Sequence, residues 1–452
     1  MVPTLWALVV TISLGAALAT LSWPFVDLYN NLYKAAAFSW SDTIVSAFAG
    51  GLEYRPLLLI GIKLVHQLVG IRVWVYQALV ILQFAAVLAL LVWMFRPQTR
   101  ERATAACVAL ACVVGLHSSR VMFLFAPLNA HSFGVVLLLA AVLLAIRPRS
   151  RLGEMAFLPL TLGALLLLES GGLIVAVMLV LWKMRAPGAS GRALTATLIG
   201  AAIYLALRFG LGTQTPASTY TETGLGFHDV DAARLGEMFL HAPWLLWIYN
   251  VVASFLTVVA SEPRAGKYHF VAAILNGRVP VWMYVHVLAS VMTTAVVGYA
   301  LARSRVTSPR DRQLVAVGAT VLVLGSALGF LYTRDRIALS AGVGYAMLVY
   351  VGLAATLEGR RQVLTTACVA IIAAGWFIRT AEAYFQLRDA AWENRLEWTT
   401  RYEELGGYTR PQTDMLQVLR HQAIADAADD PRRDPAWTYV WFEREFERAS
   451  GP

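Results

Sequence analysis

Long apolar runs alternate with short polar segments along most of the 452 residues. An α-helix needs about 20 mainly apolar residues to cross the hydrocarbon core of a bilayer. The pattern therefore predicts an all-α polytopic membrane protein with about eleven transmembrane helices. The predicted spans are 5–21, 73–95, 103–117, 133–146, 156–168, 171–183, 193–211, 280–302, 313–331, 337–357 and 362–378.

Three stretches of the chain depart from the pattern of single transmembrane helices joined by loops. Residues 57–69 are apolar but too short to span, and Pro56 suits the first turn of a helix, so we expect an interfacial helix. The short spans 156–168 and 171–183 are predicted to form a tight pair around Glu169-Ser170-Gly171-Gly172. The apolar stretch 243–261 is expected to lie in the interface or to form a re-entrant hairpin, because one more crossing would disrupt the alternation of loops.

Composition and charge exclude a water-soluble enzyme and a nucleic-acid partner. Only 14% of the residues are charged and the mean hydropathy is +0.61, whereas soluble domains carry about 25% charged residues. The net charge of +9 comes largely from short loops, which mark the cytoplasmic side of a membrane protein. We therefore expect a protein of the cell inner membrane. The loops carry Arg96, Arg100, Arg102; Arg147, Arg149, Arg151; Lys183, Arg185, Arg192; Arg303, Arg305, Arg310, Arg312; and Arg360, Arg361.

This orientation divides the chain into a transmembrane domain, residues 1–378, and a tail, residues 379–452. Within the domain, residues 22–70 form a long first outer loop with the interfacial helix, and residues 212–279 form a large outer loop. The tail has mixed charge and aromatic residues at helical spacing, which predicts helices at 380–404 and 412–428. We expect a small helical tail on the outer, periplasmic face.

Ionisable residues outside the basic loops fall almost entirely on the predicted outer face. Such groups are costly near a bilayer and tend to mark function. Since no comparable set is predicted at mid-membrane depth, the pattern favours a reaction at the outer interface over a transport path. The candidates are Asp27, Asp42, Glu53, Arg55, His117, Arg120, His131, Glu169, Arg208, Glu222, His228, Asp229, Arg334, Asp335 and Arg336.

Several of these residues also have a structural interpretation. Asp27 follows the first span closely and serves either as a base or as a helix cap. Glu53 and Arg55 either bind a ligand or turn the chain onto the membrane. Glu169 is expected to need a partner, with His117 or Arg120 within reach. Arg208 closes a span and either binds a ligand or extends to the interface.

The sequence leaves open whether the protein binds a divalent metal ion. Glu222, His228, Asp229 and Asp231 lie close together in the large outer loop, and imidazole and carboxylate groups both suit divalent ions. Their spacing follows no known metal motif, so neither a site nor a cofactor is assigned.

Several motifs follow one another in a characteristic order. They are Asp27 with Glu53-Tyr54-Arg55-Pro56-Leu57, His117, Glu169-Ser170-Gly171-Gly172, Tyr204 to Arg208, and Arg334-Asp335-Arg336-Ile337 through Gly344-Tyr345. In this order they resemble the GT-C superfamily of membrane glycosyltransferases, over about residues 1–360. Within it, the chain is most similar to the protein O-mannosyltransferase-like branch, whose eukaryotic members carry tetratricopeptide repeats.

The resemblance implies inverting transfer of a sugar from a polyprenyl-phosphate carrier to a protein, lipid or glycan acceptor on the non-cytoplasmic face. It assigns Asp27 as the catalytic base and Arg336, assisted by Arg334, as the group that holds the carrier phosphate. The remaining substrate-binding candidates are Glu53, Arg55, His117, Glu169 and Arg208.

The chain also departs from that family. Asp27 is followed by Leu28 where an acidic pair is common, Ala341 stands where a proline is common, and no tetratricopeptide repeats follow. Two other functions stay open. One is a transporter or flippase for a lipid-linked substrate, and the other is an inactive relative that binds a partner through the tail.

Overall fold

The computed structural model describes residues 1–19, 35, 38–48, 54–70, 73–119, 130–210, 232–264, 268–303, 306, 308–331, 335–358 and 362–396. These ranges form helices and connecting turns and contain no β-strand. The longer helices are α1 (Val2–Ala19), α2 (Trp40–Phe48), α3 (Pro56–Val69), α4 (Val73–Phe95), α5 (Arg100–Gly115), α6 (Ala130–Ala145), α7 (Arg151–Leu167), α8 (Leu173–Lys183), α9 (Gly191–Gly210), α10 (Ala232–Met238), α11 (Pro243–Val259), α12 (His269–Leu275), α13 (Val281–Arg303), α14 (Pro309–Ala327), α15 (Leu339–Leu357) and α16 (Gln362–Leu396). Short 3-10 turns cover Glu169–Gly172 and Asp335–Ala338.

A helix lies at each predicted span, and the all-helical class is confirmed. Five helical segments of the described chain are long and apolar enough to cross a membrane, which indicates a membrane protein. The other helices at predicted spans are shorter or more polar, so the count of eleven crossings stays a prediction. The five segments are Trp74–Phe95, Gly191–Gly210, Val281–Arg303, Leu339–Leu357 and Thr366–Tyr384.

Helix α15 is the central element of the bundle. It packs against α5, α13 and α14, and 83% of its most apolar stretch is buried. Its contact with α14 is close because glycines face each other. A Cβ atom on Gly344 would lie 2.7 Å from the carbonyl oxygen of Gly318. Small residues at such a contact let two helix backbones approach in an apolar surrounding.

Charged residues tie several helices together at one end of the bundle. The Arg102 guanidinium donates to both carboxylate oxygens of Asp311, at 3.2 and 2.8 Å, and to Glu358 at 2.8 Å. These contacts join α5, α14 and α15. The Arg310 side chain donates a hydrogen bond at 3.0 Å to the carbonyl of Met94, and this bond connects the end of α4 to the start of α14.

The remaining basic loops lie at the same end. The Arg147 guanidinium lies 3.6 Å from the centre of the Trp93 ring, and the backbone N–H of Gly188 donates to the carbonyl of Ala145 at 2.9 Å. We call this end, which carries Arg102, Arg147, Gly188 and Arg310, the basic end. The distal end is the opposite one, where α5, α7 and α9 finish and α13 and α15 begin. Loops that the sequence assigns to one side of the membrane therefore share one end of the fold.

A buried carboxylate at the basic end predicts a pH-dependent stability. Glu154 is nearly buried, and it accepts hydrogen bonds from Ser190 Oγ at 2.5 Å and from Arg149 Nε at 2.5 Å. The Ser190 bond, and then Arg149, hold the pKa of Glu154 below its ordinary value. A lowered folded-state pKa means that the ionised carboxylate stabilises the fold above the ordinary glutamate range, and that this contribution is lost as the pH falls through the lowered value.

We therefore expect Glu154→Gln to lower the unfolding temperature near neutral pH, with a gap from the wild type that narrows below about pH 4. Thermal unfolding of both proteins across this pH range measures the gap. A gap of constant size at every pH would contradict the assignment.

The chain enters the bundle along α11 from the distal end and turns back after the helix. Midway along α11, Asn250 Nδ2 donates to the carbonyls of Phe330 and Leu331, at 3.0 and 3.1 Å. Near the end of α11, the carbonyl of Val259 accepts a hydrogen bond from the Thr294 hydroxyl. Thr294 lies about 20 Å along α13 from the distal start of that helix. After α11 the chain runs back toward the distal end, and Ser261 Oγ lies 2.6 Å from Ser290 Oγ. This path agrees with the predicted re-entrant hairpin and places non-helical backbone inside the bundle.

The predicted boundary between domain and tail falls inside α16, which continues unbroken through residue 378. Arg379 and Glu382, the first charged residues of the predicted tail, are 0% and 4% exposed. Both side chains form hydrogen bonds within the bundle, and so this part of the predicted tail belongs to the bundle. The end of the first predicted tail helix and all of the second lie outside the described residues.

Two local elements predicted at the distal end are present. Helix α3 is the expected short helix, with Pro56 in its first turn, and it packs against α2 and α7; its location in the membrane interface stays a prediction. The turn Glu169–Gly172 joins α7 to α8. A Cβ atom on Gly171 would lie 2.4 Å from the backbone of Ala164, so only glycine permits this tight return.

Candidate functional site at the distal end

The structure describes only some of the predicted site residues. Asp27, Glu53 and Arg334 lie outside the described residues. Arg336 lies on the turn Asp335–Ala338, of which only the backbone is described. Arg55, His117, Glu169 and Arg208 are described with their side chains, and all four lie at the distal end.

Glu169 and Arg208 form an ion pair, with Arg208 Nη1 3.0 Å from Glu169 Oε1. The same nitrogen donates to the Tyr204 hydroxyl at 2.6 Å. The partner of Glu169 is therefore Arg208, where His117 or Arg120 was expected. Arg208 also turns toward this carboxylate, although its position at the end of a span fits an extension to the interface. The pair links the turn after α7 to the last turns of α9.

Tyr54 packs beside this ion pair. Its side chain is 1% exposed, and its ring meets the Tyr204 ring edge-on with centroids 5.9 Å apart. Tyr54 also packs with Leu165 and Leu166 at the end of α7. Arg55, the next residue, immediately precedes α3 and is half-buried. Tyr54 and the start of α3 are thus held close to the Glu169–Arg208 pair.

The Glu169–Arg208 pair should show a measurable but modest coupling. Glu169 keeps 36% of its side chain exposed and Arg208 13%, so solvent screens the interaction. We expect a double-mutant cycle of Glu169→Gln and Arg208→Met to give a coupling energy of about 1 kcal/mol in unfolding experiments. The control cycle combines Glu169→Gln with Arg303→Met. Arg303 is exposed beside Tyr299 at the other end of the bundle, so the effects of these two substitutions on the free energy of unfolding should be additive. Equal behaviour of the two cycles would contradict the pairing.

A second polar cluster connects His117 to the interior of the bundle. His117 Nε2 lies 3.1 Å from His286 Nδ1, and His286 Nε2 forms a hydrogen bond with Glu382. The exposed fractions are 6% for His117, 1% for His286 and 4% for Glu382. We call this arrangement the Glu382–His286–His117 chain. It joins α16, α13 and the turn that follows α5.

Arg264 determines the tautomer of His286. Its Nη2 contacts His286 Nδ1, and a guanidinium can only donate. Nδ1 of His286 must therefore accept, which places the ring proton on Nε2, where it is donated to Glu382.

Arg379 binds the surrounding helices to the cluster. This side chain is fully buried, and it donates to the carbonyl of Gly115 at 3.0 Å, to the carbonyl of His286 at 3.2 Å and to Ser290 Oγ at 2.8 Å. Its guanidinium carbon lies 4.2 Å from the centre of the Trp376 ring. A charge in a bundle core needs hydrogen-bond partners, and Arg379 finds three of them at the junction of α5, α13 and α16.

This cluster was missed by the sequence interpretation, which assigned Arg379 and Glu382 to a solvated tail. The prediction that ionisable groups outside the basic loops fall almost entirely on the outer face omits this cluster, because His286 lies inside a predicted span. One signal was available. Arg379 and Glu382 stand three residues apart, on one face of a helix that continues the last apolar run without a break.

Helix α11 supports the turn that carries Arg336. Asn250 is fully buried, and its two bonds to the carbonyls of Phe330 and Leu331 hold the chain that leads toward that turn. Helix α11 also packs against the turn Asp335–Ala338 itself. The backbone of Arg336 is therefore positioned at the distal end by α11, α14 and α15.

A cavity of about 540 Å³ lies elsewhere, between α1 and α4 at the basic end. Its walls are mainly apolar, and they include Ala7, Ala85 and Trp93, with Arg96 among the lining residues. The cavity is remote from both polar clusters, so it does not alter the assignment of the distal end as the candidate site.

The two clusters can orient polar groups, offset charge and exchange protons. Among the described side chains, no group of three or more His, Cys, Asp and Glu residues could hold a metal ion. The metal candidates Glu222, His228, Asp229 and Asp231 fall outside the described ranges.

Comparison of the chain with protein families, with curated proteins and with solved structures finds no match.

Proposed function

We propose that this chain is an inverting glycosyltransferase of the GT-C type, which moves a sugar from a polyprenyl-phosphate carrier to an acceptor hydroxyl at the distal end. One observation carries the proposal. Ionisable side chains from separate helices converge at the end opposite the basic loops, with Glu169 paired to Arg208 and His117 bonded to His286. Such groups are costly beside a bilayer and tend to mark function.

In the proposed reaction, Asp27 takes the proton of the acceptor hydroxyl. The hydroxyl oxygen forms a bond to the anomeric carbon while the bond from that carbon to the carrier phosphate breaks. The electron pair leaves with the polyprenyl phosphate. Arg336, assisted by Arg334, offsets the negative charge that develops on the phosphate, a role in which fixed cations contribute strongly to catalysis.

The remaining substrate-binding candidates shape the distal site. Arg208 and Glu169 are held by their mutual ion pair and by Tyr204. Glu53 and Arg55 flank Tyr54, whose burial fixes this part of the first outer loop. His117 opens the second outer loop. These groups supply donors and acceptors for sugar hydroxyls on a rigid support.

The proposed topology places the distal end on the periplasmic face of the cell inner membrane. Loops rich in Arg and Lys mark the cytoplasmic side, and these loops share the basic end of the bundle. Eleven crossings and a re-entrant α11 are consistent with this orientation. The partners are then a polyprenyl-phosphate sugar, a protein, lipid or glycan acceptor, and membrane lipids.

One structural feature favours a second candidate, a transporter or flippase for a lipid-linked substrate. Helix α11 enters the bundle, and the segment that follows it runs back past Ser290 and His286. Interrupted helices near buried charges are common at transporter binding sites. The distal position of the Glu169–Arg208 pair favours the transferase.

The test is sugar release from the carrier. The purified wild-type protein is given a panel of labelled polyprenyl-phosphate sugars, and its turnover is compared with that of Asp27→Asn and Arg336→Ala. Turnover of one donor that is lost in both variants supports the proposal. Movement of a lipid-linked sugar across liposomes without turnover supports the transporter. No signal in either assay contradicts both and favours a non-catalytic partner protein.

A further inference from the structure

The cavity between α1 and α4 has the size and the apolar walls of a ligand pocket. Its volume is about 540 Å³, within the range of about 300–1,000 Å³ that is usual for such pockets. Deeper in the bundle the two helices approach closely, since a Cβ atom on Gly15 would lie 3.2 Å from Ile81 Cδ1. Nearer the basic end, the small side chains of Ala7 and Ala89 line the cavity. The helices therefore diverge toward the basic end and leave this space between them.

The cavity joins the apolar part of the bundle to its basic end. Along α4 its lining runs from Ala85 to Trp93, a distance of about 12 Å, and it finishes at Arg96 and Pro97. Ala89 is exposed, so the cavity can be entered from the side of the bundle. Because α4 is apolar enough to cross a membrane, that side is expected to face lipid. An acyl chain can then enter the cavity from the surrounding bilayer.

Three arginines surround the basic end of this cavity. Arg96 lines it directly, and the Arg147 guanidinium lies 3.6 Å from the centre of the Trp93 ring, which lines it as well. Arg310 donates to the carbonyl of Trp93 at 3.3 Å and to that of Met94 at 3.0 Å. The arginines come from the end of α4, the loop after α6 and the first turn of α14. Three separate segments thus bring positive charge to one place.

The protein supplies little negative charge to balance these arginines. Among the described residues, neither Arg96 nor Arg147 forms an ion pair with a carboxylate. Both carboxylate oxygens of Asp311 accept from Arg102. Burial, and after it the Arg96 charge, lowers the pKa of the Arg310 guanidinium. An anion between these side chains would offset their mutual repulsion.

We propose that this cavity binds an anionic phospholipid, with one acyl chain between α1 and α4 and with the phosphate held by Arg96 and Arg147. Arg310 adds a third positive charge. Arginine matches phosphate oxygens with paired donors, and basic pockets between membrane helices on the cytoplasmic side bind anionic lipid head groups. The proposed topology places the basic end on that side. Such a lipid binds whether or not the distal end transfers a sugar.

The occupant must carry both a negative charge and an apolar chain. Inorganic phosphate would contact the arginines but leave the apolar cavity unfilled. A zwitterionic phospholipid would bring a second positive charge close to the arginines. A polyprenyl phosphate shares the required chemistry, but the proposed reaction uses that carrier at the opposite end of the bundle. An anionic phospholipid meets both requirements at the basic end.

The experiment is lipid binding to the delipidated protein in a neutral detergent, measured by native mass spectrometry. Phosphatidylglycerol competes with phosphatidylcholine of the same acyl chains, and inorganic phosphate and a polyprenyl phosphate are tested separately. We expect one phosphatidylglycerol per chain, retained in preference to phosphatidylcholine. Arg96→Gln should weaken its binding about fivefold, and Arg96→Gln combined with Arg147→Gln about 30-fold, from the usual contribution of each basic residue near an anionic lipid.

Two matched pairs of variants separate this site from general effects. Ala89→Phe fills the cavity from its exposed edge and should remove the preference for phosphatidylglycerol. Leu82→Phe adds the same side chain at an exposed position of α4 outside the cavity lining and should leave binding unchanged. Arg185→Gln is the charge control for Arg96→Gln. Arg185 is exposed at the basic end, and both arginines have a left-handed backbone, with φ 56° at Arg185 and 42° at Arg96, so Arg185→Gln should bind the lipid as the wild type does.

Each contrary outcome overturns a stated part of the proposal. Equal retention of the two phospholipids, or equal weakening in Arg96→Gln and Arg185→Gln, overturns the head-group site. Unchanged binding in a folded Ala89→Phe protein overturns the place of the acyl chain. Tighter binding of inorganic phosphate or of the polyprenyl phosphate overturns the phospholipid as occupant. Sugar release is measured separately, so failure of the proposed function and failure of this lipid site are distinguishable.

Discussion

Replacing Arg379 with methionine is expected to destabilise the folded protein by about 3–5 kcal/mol, the range found when one partner of a buried charged network is removed. The side chain is fully buried and donates to Gly115, His286 and Ser290. Methionine fills part of the volume but supplies no donor. Two buried backbone carbonyls and the Ser290 hydroxyl would lose this donor.

Unfolding by heat or by SDS in detergent micelles measures this loss of stability. Arg278→Met is the matched control, because Arg278 is exposed near the start of α13, and a change there should be close to zero. An Arg379→Met protein as stable as the control would contradict the role of Arg379 as the junction of α5, α13 and α16.

Asp27→Asn is expected to reduce the turnover of the sugar donor by about 10²- to 10⁴-fold, the usual contribution of a general base. Asparagine keeps the size of the side chain but cannot accept a proton in the relevant pH range. Donor binding should change much less than kcat, since the base acts in the chemical step. Kinetics with the donor found in the panel measure both quantities.

Asp42→Asn gives a control within the same predicted loop. Asp42 accepts from the hydroxyl of Ser39 at 2.6 Å and from its backbone N–H at 3.3 Å, in the first turn of α2. Its role is local, so the variant should keep turnover near the wild-type rate. Equal losses in Asp27→Asn and Asp42→Asn would show that the loop is needed for structure, and would remove the argument for a base at Asp27.

The helices were predictable because they follow from local chemistry. Apolar run length fixed the positions of helices such as α4 and α15, and proline and glycine marked the start of α3 and the turn at Gly171. Each of these signals is contained within a few residues of the element it predicts.

The partners within the candidate site were harder to predict because they are distant in sequence. Glu169 pairs with Arg208 across 39 positions, and His286 meets Glu382 across 96 positions. Hydropathy shows that a buried charge needs a partner, but it does not show which one. Arg379 and Glu382 were assigned to a solvated tail for this reason, since charged residues favour water unless the fold pairs them.

The most direct test of the central claim is the side of the membrane on which sugar transfer occurs. Sealed proteoliposomes receive a water-soluble, short-chain polyprenyl-phosphate sugar on one side only, and orientation is assigned by labelling a cysteine placed at Arg151, an exposed residue of the basic end. We predict sugar release only when the donor reaches the distal end of the bundle. Release from the basic end, or no release from either end, would contradict the proposal.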